Sequence, residues 1–254
     1  MFARATIVGA LLVALVSSPA SGLAAPQLTV FAAADLAFAF KEIVPLFERA
    51  TGAKVTLVVG STGRFAQQIE AGAPADVLFA ANQEFIDDLA AKGKVTAETR
   101  TLYARGRIVL ATLRSANVQL TGLRQLTDAR VKRVAIANPQ HAPYGKAAEE
   151  ALRAIGIWDA VRPKLVYGEN IRHTLQFVES GAVDAGIVAL SIANVPAIGW
   201  TPIDPALHAP INQVAAVVRR SQVPELALGF IQFVTGREGR PIMKRYGFLV
   251  PGEF

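Results

Sequence analysis

Residues 27–59 read QLTVFAAADLAFAFKEIVPLFERATGAKVTLVV, and their pattern decides the fold class. Gln27 to Phe31 is a short β run. Small residues follow, and from Asp35 to Ala50 the apolar side chains Leu36, Phe40, Ile43, Val44 and Phe47 recur at helical spacing. Lys54 to Val59 is a second strand. Strand, helix and strand in this order predict parallel pairing with the helix packed on the sheet.

The rest of the chain repeats the alternation. Strands are expected over Asp76 to Ala80, Arg107 to Thr112, Val131 to Asn138, Lys164 to Tyr167, Ala185 to Leu190 and Val214 to Val218. Helices are expected over Phe65 to Ala71, Asn82 to Lys92, Lys146 to Ile155, Ile171 to Ser180, Pro224 to Gly236 and Glu238 to Tyr246, with Asn82 as an N-cap. About ten short strands are too many for one compact sheet of this length. The expected fold is therefore α/β with two lobes, each a mostly parallel sheet flanked by helices, and a ligand cleft between them. No linker marks a boundary, so the chain must cross within ordered structure, near Tyr103 to Ile108 and again near Asn212 to Val217. That gives one lobe from 25–105 and 217–254 and a second from 106–216.

Composition narrows the function. Of 254 residues, 52% are apolar and 18% charged, which excludes a disordered chain. The net charge of +6 is spread over single cations. The longest clusters, Arg219-Arg220 and Lys244-Arg245, lack interleaved aromatics, so the surface reads as a solvated basic one with no nucleic-acid partner. The chain has no cysteine, which excludes disulfides, thiol nucleophiles, Cys-bound zinc and a lipoprotein anchor. Residues 1–24 carry Arg4, an apolar run from Ile7 to Val16 and the small-x-small triplet Gly22-Leu23-Ala24. That is a signal peptide cleaved after Ala24, so the mature protein is expected to be exported, and no later segment is long and apolar enough to span a membrane.

Four strand-to-helix loops could bind something. Phe31-Ala32-Ala33-Ala34-Asp35-Leu36 offers small residues and the unpaired N–H groups of a helix start, which favour an anion. Asp35 reads either as an N-cap of its own helix or as a ligand contact. Gly60-Ser61-Thr62-Gly63-Arg64 places two hydroxyls between two glycines at a helix N-terminus: an oxyanion cradle, or a tight capped turn. It lacks the spacing of a phosphate-binding Walker loop, so nucleotide binding is unsupported. In Asn138 to Lys146, Pro143 fixes a turn and Tyr144 either offers its hydroxyl to the cleft or fills the core. In Gly168 to His173, Asn170 caps a helix whose first N–H groups, from Ile171 onward, point off its end.

Enzyme signatures are missing. His141, His173 and His208 fit no metal-ligand spacing, there is no nucleophile elbow, and the neighbouring pairs Asp87-Asp88 and Glu149-Glu150 diverge as solvated faces. No catalytic constellation, cofactor site or free-cation site is expected.

Together, Val30-Phe31-Ala32-Ala33-Ala34-Asp35-Leu36, Phe65 to Asp76, Asn138-Pro139 to Gly145, Gly186-Ile187-Val188 and the ending Lys244-Arg245-Tyr246-Gly247-Phe248 resemble the periplasmic molybdate-binding protein (ModA) family of ABC importers. The resemblance spans essentially all of the chain beyond residue 24. It implies a type II periplasmic binding fold, a monomer closing on a molybdate or tungstate dianion, and delivery to an ABC permease in the inner membrane. Such sites hold the ion by hydroxyls and backbone N–H groups, with no cofactor. Carried over by position, the contacts fall on Asp35, Ser61 or Thr62, Tyr144 and Ile171, with Ala34, Gly63, Asn170 and Ala189 close by. Many family members have Ser in place of Asp35 and Tyr in place of Ala189. A carboxylate facing a fully deprotonated oxyanion would be repelled. Either Asp35 turns away to cap its helix while Tyr144 replaces the hydroxyl missing at Ala189, which keeps molybdate or tungstate, or the ligand carries a proton that Asp35 accepts, which points to hydrogenphosphate or arsenate. The first is the expectation. A ligand-presenting partner of a membrane sensor is the other role open to such a protein.

Overall fold

The computed structural model describes residues 25–116 and 120–254; the expected signal peptide, 1–24, lies outside the described residues. In chain order the elements are β1 (Gln27–Ala33), α1 (Ala37–Thr51), β2 (Lys54–Gly60), α2 (Thr62–Glu70), β3 (Val77–Ala80), α3 (Gln83–Ala91), β4 (Thr101–Gly106) and β5 (Ile108–Leu113). They continue with β6 (Val134–Ala137), α4 (Pro143–Ala154), α5 (Trp158–Val161), β7 (Leu165–Gly168), α6 (Ile171–Glu179), β8 (Ala185–Ala189) and α7 (Leu190–Ala193). The chain closes with β9 (Ile198–Pro202), β10 (Ile211–Val217), α8 (Pro224–Thr235) and α9 (Gly239–Arg245). Two five-stranded sheets result, ordered β2-β1-β3-β10-β4 and β7-β6-β8-β5-β9.

In each sheet three strands pair in parallel and one strand runs against the other four. β10 runs against β3 and β4, and β5 runs against β8 and β9. The reversal follows from the connectivity: β4 and β5, separated by Arg107 alone, carry the chain from the first sheet to the second, and β10 carries it back. The expected extent of the second lobe, 106–216, is thus too long. Ile211–Val217 pairs with β3 and β4 and belongs to the first sheet, because the run's apolar residues are buried there. β4 and β9 had no counterpart among the strands read from sequence, since neither shows a clean apolar alternation.

Burial explains the layers. The central strands β3, β6 and β8 are buried along their whole length, as their unbroken apolar runs require. One face of the first sheet is covered by α1, α8 and α9, where Phe40 and Phe230 meet edge-on at 5.6 Å and Phe47 meets Phe230 at 4.9 Å. The other face packs Phe31, Phe65, Ile69, Leu78 and Ile86 under α2 and α3. The second sheet has its own core around Leu110, Ile136, Leu152, Leu175 and Ile187. With each lobe holding a complete core, the loops between them are free to serve as a site.

Candidate functional site

The helix starts that follow β1, β2, β6 and β7 converge from the two lobes on one narrow cavity of about 10 Å³, room for a single water-sized centre. α2 starts at Thr62 after the N-cap Ser61, α4 at Pro143, and α6 at Ile171 after Asn170, whose side chain accepts from Arg172 N–H and His173 N–H. A single 3-10 turn, Ala34–Leu36, leads from β1 into α1. Pro143 stands in the first position of α4, where a missing N–H costs nothing, so Tyr144 carries the first N–H of that helix. Of the residues singled out from sequence, Ala34, Asp35, Ser61, Thr62, Tyr144, Asn170 and Ile171 line the cavity. Gly63 and Ala189 do not. Gly63 donates its N–H to the His141 carbonyl across the cleft at 2.9 Å, and a Cβ there would meet that oxygen at 2.8 Å. Ala189 ends β8 opposite Ile108, fully buried in the second sheet.

Asp35 is the charged residue of the lining, and it does not cap its helix. Its Oδ2 accepts from the Tyr144 hydroxyl at 2.8 Å and from Gln213 Nε2 at 2.6 Å, and Gln213 Nε2 also donates to Tyr144 Oη at 2.8 Å. Its Oδ1 is buried without a partner. The hydroxyl expected to stand in for a side chain at Ala189 is therefore spent on Asp35. Gly106 makes room for this cluster: a Cβ there would lie 2.1 Å from Tyr144 Oη and 2.8 Å from Gln213 Nε2. The β10–β4 register slips beside Gln213, passing from Gln213↔Ala104 to Val214↔Leu102. Such an irregularity re-aims a side chain out of a regular ladder.

The two hydroxyls of the second loop differ. Ser61 Oγ donates to the His141 carbonyl at 2.5 Å and lies 2.9 Å from His141 Nδ1, so it ties the lobes together. Thr62 Oγ1 accepts from Ala81 N–H at 3.0 Å, which leaves its own proton to donate. Ser191 Oγ donates to the Asp35 carbonyl at 2.9 Å. Arg64–Glu169 at 3.2 Å and Lys146–Glu84 at 3.3 Å span the cleft at its exposed rim. The lining thus offers helix-start N–H groups and hydroxyls but no cation, an arrangement suited to a small oxyanion held by dipoles.

A family model for bacterial extracellular solute-binding proteins matches residues 28–249. The chain belongs to that family. The molybdate-binding protein ModA of Azotobacter vinelandii is 33% identical to this solute-binding protein over 229 residues, covering 88% of this chain and 90% of that one. ModA of Escherichia coli K12 is 32% identical over 237 residues, with 88% and 89% covered. Among solved structures, the periplasmic molybdate-binding protein of Azotobacter vinelandii matches with a TM-score of 0.82 at 28% identity, over 88% of this chain and 99% of that one. A Mycobacterium tuberculosis sulfate-binding protein, SubI, shares the fold, with a TM-score of 0.79 at 16% identity over 89% and 88% of the two chains. The two-sheet architecture is the type II periplasmic binding fold.

Burial dominates the electrostatics of this solute-binding protein's cleft. It lifts the Asp35 carboxyl from 3.8 to about 6, against the opposing pull of the Gln213 and Tyr144 hydrogen bonds. Burial, and next the Asp35 charge, push the hydroxyls of Tyr144 and Tyr103 well above the usual range. His141 is lowered, first by burial, with Arg64 adding to the effect and Glu169 opposing it. Gln213 escaped the sequence reading. A lone amide inside the apolar run Val214 to Val218 and its flank was the available signal, but a polar residue at a strand end has many uses.

Proposed function

We infer that this protein captures a fully deprotonated tetrahedral oxyanion, molybdate or tungstate, between its lobes and delivers it to an ABC permease in the inner membrane. The observation that carries the reading is the convergence of helix starts from both lobes, with the Thr62 hydroxyl, on a small cavity lined by no Lys or Arg side chain. A dianion there is neutralised by aligned N–H dipoles and hydroxyls, and contacts from both lobes stabilise the closed arrangement over an open one. The likeness to molybdate-binding proteins over nearly the whole chain supports the choice of ion. The protein acts by binding and release, as a periplasmic monomer, without turnover. Among the described residues no helix is long and apolar enough to cross a membrane.

Thr62 O–H and the N–H groups of Thr62, Tyr144 and Ile171 are the assigned donors. A second reading, a receptor for a protonated oxyanion such as hydrogenphosphate or arsenate, draws support from one observation: Asp35, a residue of the cavity lining, has a buried carboxyl oxygen without a partner. Thermal-shift titration against molybdate, tungstate, sulfate, phosphate and arsenate separates the two. Ligand at 100 times its dissociation constant adds about 2.7 kcal/mol of stability, a visible rise in melting temperature. A rise with molybdate and tungstate alone supports the first reading; a rise confined to phosphate or arsenate overturns it.

A further inference from the structure

Asp35 is fully buried, yet it lines the cavity assigned to the oxyanion. Both of its donors, Tyr144 Oη and Gln213 Nε2, sit on Oδ2, which leaves Oδ1 without a partner. A carboxyl arranged this way has one oxygen committed as an acceptor, so a proton on the group resides on the other. We propose that the protein takes up one proton with its oxyanion: Asp35 is protonated on Oδ1 in the bound state and donates that hydrogen to a ligand oxygen, with Tyr144 and Gln213 as the positioning residues that keep Oδ2 an acceptor. This rests on the oxyanion reading above. It makes the residue a selector for oxyanions that carry no hydrogen, because a protonated Asp35 has nothing to offer a ligand hydroxyl at that oxygen. The step is a simple proton balance, one solvent proton bound per dianion, with no bond broken in the ligand.

The surroundings leave Asp35 as the group to titrate. Tyr144 on α4 and Tyr103 on β4 face it, and both have hydroxyls held protonated far above neutral pH. Among the elements packed on the Ala34–Leu36 turn, α7 carries no ionisable residue. On α6, Arg172 is paired with Glu179 at 2.6 Å and His173 stacks on Phe177. On α1, Lys41 lies over Phe38, Glu42 binds Arg245 and Tyr246, Glu48 faces Lys54 of β2, and Arg49 sits in the last turn, far from the turn. His141, behind Ser61, is held low by burial and serves as the control for a second titrating group. The carboxyl's own elevation to about 6 places its titration within reach of a binding experiment.

The test is calorimetric titration of the purified protein with sodium molybdate, an ion that carries no proton across the range, from about pH 5.5 to 8.5 in buffers of differing ionisation enthalpy. We expect the dissociation constant to rise toward tenfold per pH unit above about pH 6, with close to one proton taken up per ion near pH 7.5. Asp35→Asn puts an N–H where the O–H would be, so it should bind at all these pH values without proton uptake. His141→Asn should keep the slope. A flat wild-type profile without proton uptake overturns the proposal whether or not the Asn variant folds, as does a slope that survives Asp35→Asn or vanishes in His141→Asn. Wild-type binding with a flat profile leaves the oxyanion reading standing; no binding of any oxyanion tested, at any pH, removes both.

Discussion

Tyr144 of the second lobe donates its hydroxyl to Asp35 Oδ2 of the first at 2.8 Å, and Gln213 of β10 donates to both. This bond joins the lobes through a buried carboxyl lifted to about 6. A carboxyl raised on folding favours its neutral form in the native state, so the associated stability is complete below about pH 3.8 and is lost as pH rises through about 6. The loss amounts to about 3 kcal/mol at full ionisation. Chemical denaturation from about pH 3.5 to 8 should show this decline in the wild type, most of it between about pH 3.8 and 6, and its disappearance in Asp35→Asn. A decline retained by the variant would place the titrating group elsewhere.

Gly106→Ala should disturb the site while sparing the fold. The added methyl falls 2.1 Å from Tyr144 Oη and must displace the cluster, yet the strand backbone accepts alanine. Affinity for molybdate should fall by about tenfold or more, the scale of one lost buried hydrogen bond and its rearrangement. Calorimetry beside circular dichroism measures both, and unchanged affinity would mean the cluster does not shape the site.

Gln213→Leu removes both donor bonds at once. Asp35 then keeps Tyr144 alone, its carboxyl rises further, and the loss of stability from pH 5 to pH 8 should exceed the wild type's by about 1–3 kcal/mol. Urea midpoints at the two pH values report the difference.

Thr62→Ser should bind much as the wild type, because the hydroxyl keeps both its bond from Ala81 N–H and its free proton. Thr62→Val loses both. Its binding should weaken at least tenfold and its stability fall by about 1–3 kcal/mol, since Ala81 N–H is left unpaired in a buried place. Equal binding by the two variants would remove Thr62 from the site.

The rim pairs Arg64–Glu169 and Lys146–Glu84 are exposed, so they contribute little. Glu169→Gln should change affinity less than about fivefold, and raising salt from 50 to 500 mM should shrink even that difference. A large, salt-insensitive effect would mean that the pair does more than fasten the rim.

The sequence determined the alternation of strands and helices, because apolar spacing follows the backbone period within a few residues. It also determined which loops precede helix starts, so Ser61, Thr62, Tyr144 and Ile171 were legible as candidates before any coordinates. The orientation of Asp35 was not. Its carboxylate passed over a local cap for Tyr144, 109 positions away, and Gln213, 178 positions away. Ser61 gave its hydroxyl to the opposite lobe for the same reason, and β10 was drawn into the first sheet by pairing with β3 and β4. Local spacing reports which face of an element is apolar. Which polar atom meets which across a closed cleft depends on how two separately built cores are set against each other, and that information exists only in the tertiary structure.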